Sequence, residues 1–216
     1  MTLLSRDTAD FLGRLRANND RQWFEAHRDE YEAHVKRPGE AFASALAGQL
    51  EAATGEPHEY RIFRIHRDVR FSKDKTPYNA HLHTTFSPDG GCKEGGPVWM
   101  FGLDPDGLTL GAGIFAFSTP RLDSWRALVA APEGAWVAEL IHRLRAEQVR
   151  VGEPGLKRVP APHPADHPRA DLLRRKGLTA WIDGLATETA FGAAGPANCT
   201  LELLRLRELF QVLRSL

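Results

Sequence analysis

Two cysteines, Cys92 and Cys199, are all that 216 residues contain, and they stand far apart without metal-type spacing. That scarcity argues against a disulfide framework and fits a reducing cytosol, so a cytoplasmic location is expected. Long apolar runs are missing as well. Nothing approaches the ~20 residues of a membrane span, and the opening Met1-Thr-Leu-Leu-Ser-Arg has no basic segment leading into an apolar stretch, so no signal peptide is expected. Net charge is absent, 28 Lys and Arg balancing 28 Asp and Glu. The molecule as a whole therefore has no field for coating nucleic acid or an anionic membrane, and any affinity for anions must come from a local cluster. Nucleophile-elbow, phosphate-loop and His-Glu-x-x-His motifs are also lacking. Gly111-Ala112-Gly113 has neither the third glycine nor the strand-to-helix setting of a dinucleotide loop, and reads as a place where another backbone approaches a sheet closely.

What is present suits one well-buried core. Residues up to about 50 show helical spacing: Phe11, Leu12 and Leu15 behind Ser5 or Asp7, then Trp23, Phe24, His27 and Tyr31 behind Asp20. Pro38 suits the first turn of a further helix carrying Phe42, Leu46 and Leu50. From Arg61 to Phe117 the period becomes two, predicting strands over 62–72, 82–86, 98–103 and 108–114, with turn chemistry at Pro88-Asp89-Gly90-Gly91 and Asp104-Pro105-Asp106-Gly107. Helices are predicted near 119–131 and 133–148, followed by a Pro-rich stretch, a short helix near 168–176 and a last strand over 178–183. A final helix after Pro196 buries Leu203, Leu206, Phe210 and Leu213. The expected fold is α+β, a central antiparallel sheet (60–117) flanked by an N-terminal helical layer (1–55) and C-terminal helices (118–216), all in a single domain.

The densest feature is Arg61-Ile-Phe-Arg-Ile-His-Arg-Asp-Val-Arg-Phe-Ser-Lys-Asp-Lys-Thr-Pro-Tyr78. Through Arg64, Arg67, Asp68, Arg70, Phe71, Asp74, Lys75 and Tyr78 it resembles the bacterial family called domain of unknown function 2461. The likeness extends to Asn18-Asn19, Arg21, Trp23-Phe24, His27-Arg28, Tyr31 and Pro38 near the start, and to Gly111-Ala112-Gly113 with Arg126 in the middle. Lys157 to Pro160, Asp166-His167-Pro168, Leu173 and Lys176 continue it. Ala116-Phe117 depart from the family's tendency to place a proline after the glycines. As its name says, the resemblance implies a grouping and no activity.

Read physically, the motif sets six cations (Arg61, Arg64, Arg67, Arg70, Lys73, Lys75) against Asp68 and Asp74. On a strand, Arg67 would share a face with Phe63, Ile65, Val69 and Phe71, where a guanidinium needs a carboxylate or carbonyl partners. Arg64, His66, Asp68 and Arg70 would share the other, able to offer forked donors to a phosphate or carboxylate. A purely structural ion-pair network is the competing reading, with Arg67 on a buried acid and Tyr78 packed. Histidines give a weaker signal. His163, Asp166 and His167 in the Pro-rich loop, and His81 with His83, have metal-compatible spacing, but Asp166 equally suits capping the helix near Pro168.

Three functional expectations follow, and they leave open whether the protein is an enzyme. The leading one is a site for an anionic small molecule. Arg64, Arg67, Arg70, Lys73, Lys75 and Arg126 are its candidate ligand-binding residues, and Asp68, Tyr78, Asp166 and His167 its candidate catalytic ones. The second is a non-enzymatic module binding nucleic acid or a protein partner, with Trp99 and Phe101 as stacking surfaces; the zero net charge argues against nucleic acid without closing that option. The third is a metal-dependent hydrolase built on His163, Asp166 and His167, with Asp68 as an optional further ligand. Cofactor and oligomeric state are not legible.

Overall fold

A computed structural model describes residues 2–88 and 95–216. Cys92 and most of the turn expected at residues 88–91 lie outside the described residues. The N-terminal layer holds α1 (Arg6–Ala17), α2 (Arg21–Ala26), α3 (Arg28–Tyr31) and α4 (Arg37–Thr54). Ser5 and Thr8 cap α1 reciprocally, and the Asp20 side chain accepts from the Trp23 amide to start α2. Between α3 and α4 the helix continues through one wide π turn, Glu32–Lys36, so Pro38 sits in the first turn of α4 without a break in the chain direction.

Six antiparallel strands form one sheet: β1 (His58–Ile62), β2 (Leu82–Pro88), β3 (Val98–Asp104), β4 (Gly107–Ile114), β5 (Arg150–Val151) and β6 (Leu178–Leu185), in spatial order β1-β2-β3-β4-β6-β5. Val98 to Leu103 are buried on both faces, so the centre of the sheet is covered on both sides. The fold is therefore α+β with a central antiparallel sheet. α4 packs on β1 and β2, while α8 (Gly195–Leu204) and α9 (Arg207–Arg214) pack on β4. α5 (Thr119–Ala130), α6 (Gly134–Ala146) and α7 (Ala170–Leu173) gather near β5 at the opposite edge from β1. The expected last helix is two, divided at Arg205–Leu206, yet Leu203, Leu206, Phe210 and Leu213 are all buried as its stripe required. No helix is long and apolar enough to cross a membrane among the described residues.

Gly113 shows why β4 needs glycine. Its φ is +147°, and a Cβ there would lie 2.2 Å from the Leu178 carbonyl oxygen on β6. At Gly111 a Cβ would meet the Trp181 ring at 2.6 Å. The two strands approach too closely for side chains between them.

One predicted strand is corrected. The alternation over 62–72 suggested a strand of that length, but β1 ends at Ile62 and the chain folds back on itself. Arg67 N donates to Pro77 O at 2.8 Å and Asn79 N to Ile65 O at 2.7 Å, so the segment pairs with 77–79 through a single bridge, His66 to Tyr78, instead of running on beside β2. Of the alternating apolar residues only Ile65 is buried, while Phe63 is half exposed and Phe71 is 95% exposed.

Candidate functional site

The motif is a loop with both feet in one small core. Ile65 and Tyr78 are buried there with Phe11, Leu12, Leu15, Phe24 and Val35, apart from the main core under the sheet. Tyr78 stacks on Phe24 with ring centres 4.2 Å apart, and His66 meets both rings edge-on. Asn19, between α1 and α2, clasps the Tyr78 backbone from both sides: its Oδ1 accepts from Tyr78 N at 3.0 Å and its Nδ2 donates to Tyr78 O at 2.9 Å. Burial pushes the Tyr78 phenol above its ordinary pKa, so the ring is a neutral anchor.

Inside the loop, Arg67 reaches across. Its Nη1 donates to Asp74 Oδ2 at 2.6 Å, to Thr76 O at 3.0 Å and to Thr76 Oγ1. Asp74 also accepts from the Thr76 amide at 3.0 Å, and that bond first, with Arg67 second, holds its carboxyl down at about 2. Lys75 Nζ donates to Val69 O at 3.0 Å. At the exposed tip Asp68 takes both ends of the Arg70 fork, Nε at 2.9 Å and Nη2 at 2.6 Å, and its carboxyl is lowered chiefly by that partner. Phe71 stands in solvent beside the Arg70 guanidinium, and Lys73 is exposed nearby.

Two depressions flank the segment Ile62–His66. One, of about 590 Å³, is bordered by Arg61, Arg64, Arg67, Asp68, His66 and Asn79. The other, of about 360 Å³, lies between that segment and the α3–α4 helix, with Phe24, Tyr31, Val35, Ile65 and Leu82 beneath it. Ile62, Phe63, Arg64 and His66 border both. Among the described residues neither Arg61 nor Arg64 makes a side-chain hydrogen bond or ion pair. Arg61 lies 5.2 Å over the Phe63 ring, and the Asn79 amide donates to the Arg64 carbonyl at 3.2 Å, steadying the backbone there.

The predicted site residues are thus divided by the fold. Arg64, Arg67 and Asp68 come together at the larger depression. Arg70, Lys73 and Lys75 belong to the loop beyond it, and Tyr78 is packed beneath. Arg126, Asp166 and His167 are elsewhere. Arg126 is on α5, its Nε buried without a hydrogen-bond partner, and α5 packs on α6 and α7. The Pro-rich loop packs on the same helix, since Arg169 donates to the carbonyls of Val129, Ala130 and Ala131 at its end. The cap expected from Asp166 is not formed, since α7 begins without a side-chain cap; His167 Nδ1 accepts from Arg169 N at 3.0 Å just ahead of it. The rings of His163 and His167 stand 6.4 Å apart, and no group of three His, Cys, Asp or Glu side chains is arranged to hold a metal among the described residues. His81 and His83 stack at 3.9 Å, both lowered in pKa by burial. Trp99 and Phe101 are buried, Trp99 against Phe210, so neither offers a face to a base. Three residues at the larger depression were not singled out as ligand contacts from sequence: Arg61, His66 and Asn79. Only the spacing of Arg61 from Arg64 could have flagged one of them.

Residues 7–211 match the model of the family described as a conserved hypothetical protein (DUF2461), so the chain belongs to that family. No curated protein matches the chain.

Proposed function

We propose that this member of the family binds a phosphate- or carboxylate-bearing small molecule at the depression between Arg61 and Arg64. One observation carries the reading: the motif satisfies Arg67 with Asp74 and Thr76, and Arg70 with Asp68, but leaves the guanidinia of Arg61 and Arg64 unpaired among the described residues, beside a cleft. An unpaired guanidinium offers five donors in a rigid fork, the geometry that grips phosphate or carboxylate oxygens. With the acids at the cleft already committed, a local positive field survives in a chain of zero formal net charge. Buried Cys199 is a free thiol, its pKa pushed up to about 12 by burial, in keeping with the cytoplasmic setting included in this proposal.

Thermal denaturation with inorganic phosphate, pyrophosphate or citrate tests it. At a hundred times its dissociation constant a ligand stabilises by ~2.7 kcal/mol, about 5–10 °C for a chain of this size. The shift should appear with the wild type and vanish in Arg64→Ala. A shift that survives in Arg61→Ala/Arg64→Ala would refute the proposal.

A second reading draws on the Arg–Phe pairs. Arg61 with Phe63, and Arg70 with the solvent-exposed Phe71, present cations beside aromatic faces, the elements that hold single-stranded nucleic acid. Steeply salt-dependent binding of an oligonucleotide, lost in Phe71→Ala, would favour it over the small-molecule site.

A further inference from the structure

The 360 Å³ depression opens beside the proposed anion site but is chemically unlike it. Its floor is apolar and aromatic, and its volume is at the low end of the ~300–1,000 Å³ that enclose small ligands. Phe24, already fixed between Tyr31 and Tyr78 with ring centres at 5.3 and 4.2 Å, gives that floor a rigid aromatic base. Tyr31 is pushed up to about 12 by burial, with Glu32 and Glu40 adding to the shift, so its hydroxyl stays neutral. The outer wall is charged, carrying Arg28, Glu32, Lys36 and Glu40. Glu32 is neutralised by Lys36 at 2.9 Å and Arg28 pairs with Glu25 at 3.2 Å, whereas Glu40 makes no ion pair among the described residues. The two depressions meet at Arg64, which borders both. An anion held there has a polar, cationic surface on one side and a neutral apolar hollow on the other.

Resting on the anion-site reading, we infer that the ligand carries a neutral ring or similarly compact apolar group joined to its anion, the anion on Arg64 and the ring against Tyr31 and Ile62 in the smaller depression. Burying a group of phenyl size there adds the hydrophobic gain to the ionic one, and Glu40 disfavours ligands with a second negative charge at the far end.

Calorimetric titration at fixed ionic strength with inorganic phosphate, phenyl phosphate, acetate, benzoate and phenol tests the inference. Phenyl phosphate should bind about ten- to a hundredfold tighter than phosphate, or benzoate than acetate by the same factor, the responding pair identifying the anion. Phenol should bind more weakly than either ring-bearing anion. Val35→Phe, which fills the hollow from the helix side and borders only that depression, should remove the ring's advantage and leave binding of the bare anion unchanged; its melting curve reports whether it folds, and the wild-type series is decisive without it. Equal affinity for phosphate and phenyl phosphate, and for acetate and benzoate, overturns the inference while the anion site stands. No binding of any anion overturns both, and phenol binding as tightly as phenyl phosphate overturns the coupling through Arg64.

Discussion

Arg67→Ala and Arg64→Ala, compared in one background, should separate the loop's framework from its binding surface. Arg67 is the cross-strut of the loop. Three-quarters of its side chain is covered, 24% remaining exposed, and it donates to Thr76 O at 3.0 Å and to Thr76 Oγ1 as well as to Asp74. A protein hydrogen bond contributes ~1 kcal/mol net. The two bonds to Thr76 therefore come to ~2 kcal/mol, with the solvent-open Asp74 pair left out because such pairs are screened. For a chain of this length ~2 kcal/mol corresponds to a melting point about 4–8 °C lower. Arg64 makes no side-chain hydrogen bond among the described residues, so its removal should cost no more than a surface substitution, within about ±0.5 kcal/mol.

The assay is thermal or urea unfolding of both variants, with and without inorganic phosphate. Arg67→Ala should unfold early, and Arg64→Ala should unfold with the wild type while losing the phosphate response. Two results would refute this division of labour. Arg64→Ala could melt as low as Arg67→Ala, which would make the first arginine part of the framework. Alternatively, Arg67→Ala could melt with the wild type, which would mean that the loop is held by Ile65, Tyr78 and Asn19 alone.

Gly113→Ala should destabilise by more than about 1 kcal/mol, seen as a lower urea midpoint, because a Cβ 2.2 Å from Leu178 O must part β4 from β6 and the positive φ adds strain; an unchanged midpoint would show that the two strands lie farther apart. The Asp74 clasp should resist acid. Its carboxyl is lowered to about 2 from 3.8, so the clasp's contribution is present above 3.8 and is lost as pH falls through about 2. The Thr76 amide resonance should hold steady down to pH 3, and a transition centred near 3.8 would mean that the clasp is absent in solution.

Most of the secondary structure was legible because it rests on local signals. Asp20 capping α2, Pro38 in the first turn of α4 and the double-sided burial of Val98 to Leu103 all follow from residue type and spacing. The run 62–72 misled for a physical reason. Period-two alternation predicts a strand only where one face is buried and a neighbour supplies the ladder, and beyond Ile62 burial is limited to Ile65 and the ladder to one bond, Phe63 N to His83 O. Residues 77–79, including a proline that has no amide to donate, supply one carbonyl, one amide and a single bridge instead. Asn19 was legible as part of the family likeness but not as the clasp on Tyr78, because nothing local reveals a partner 59 positions away.

The same limit explains which arginines the sequence suggested for the site. Composition gives an excess of cations in the motif but not how they pair, and pairing decides what remains to meet a ligand. Asp68 and Arg70, two apart on an extended segment, point the same way and close on each other in a bidentate pair. That contact withdraws Arg70, which the sequence had favoured. Asp74 withdraws Arg67 by folding the loop back, and Val69 O occupies Lys75. The cations without such partners among the described residues are Arg61 and Arg64 at the foot of the loop and Lys73 near its tip, and only the first two border a cleft. A motif this rich in charge therefore leaves its free guanidinia, on which the proposed site rests, where its internal pairing stops, at the junction with β1.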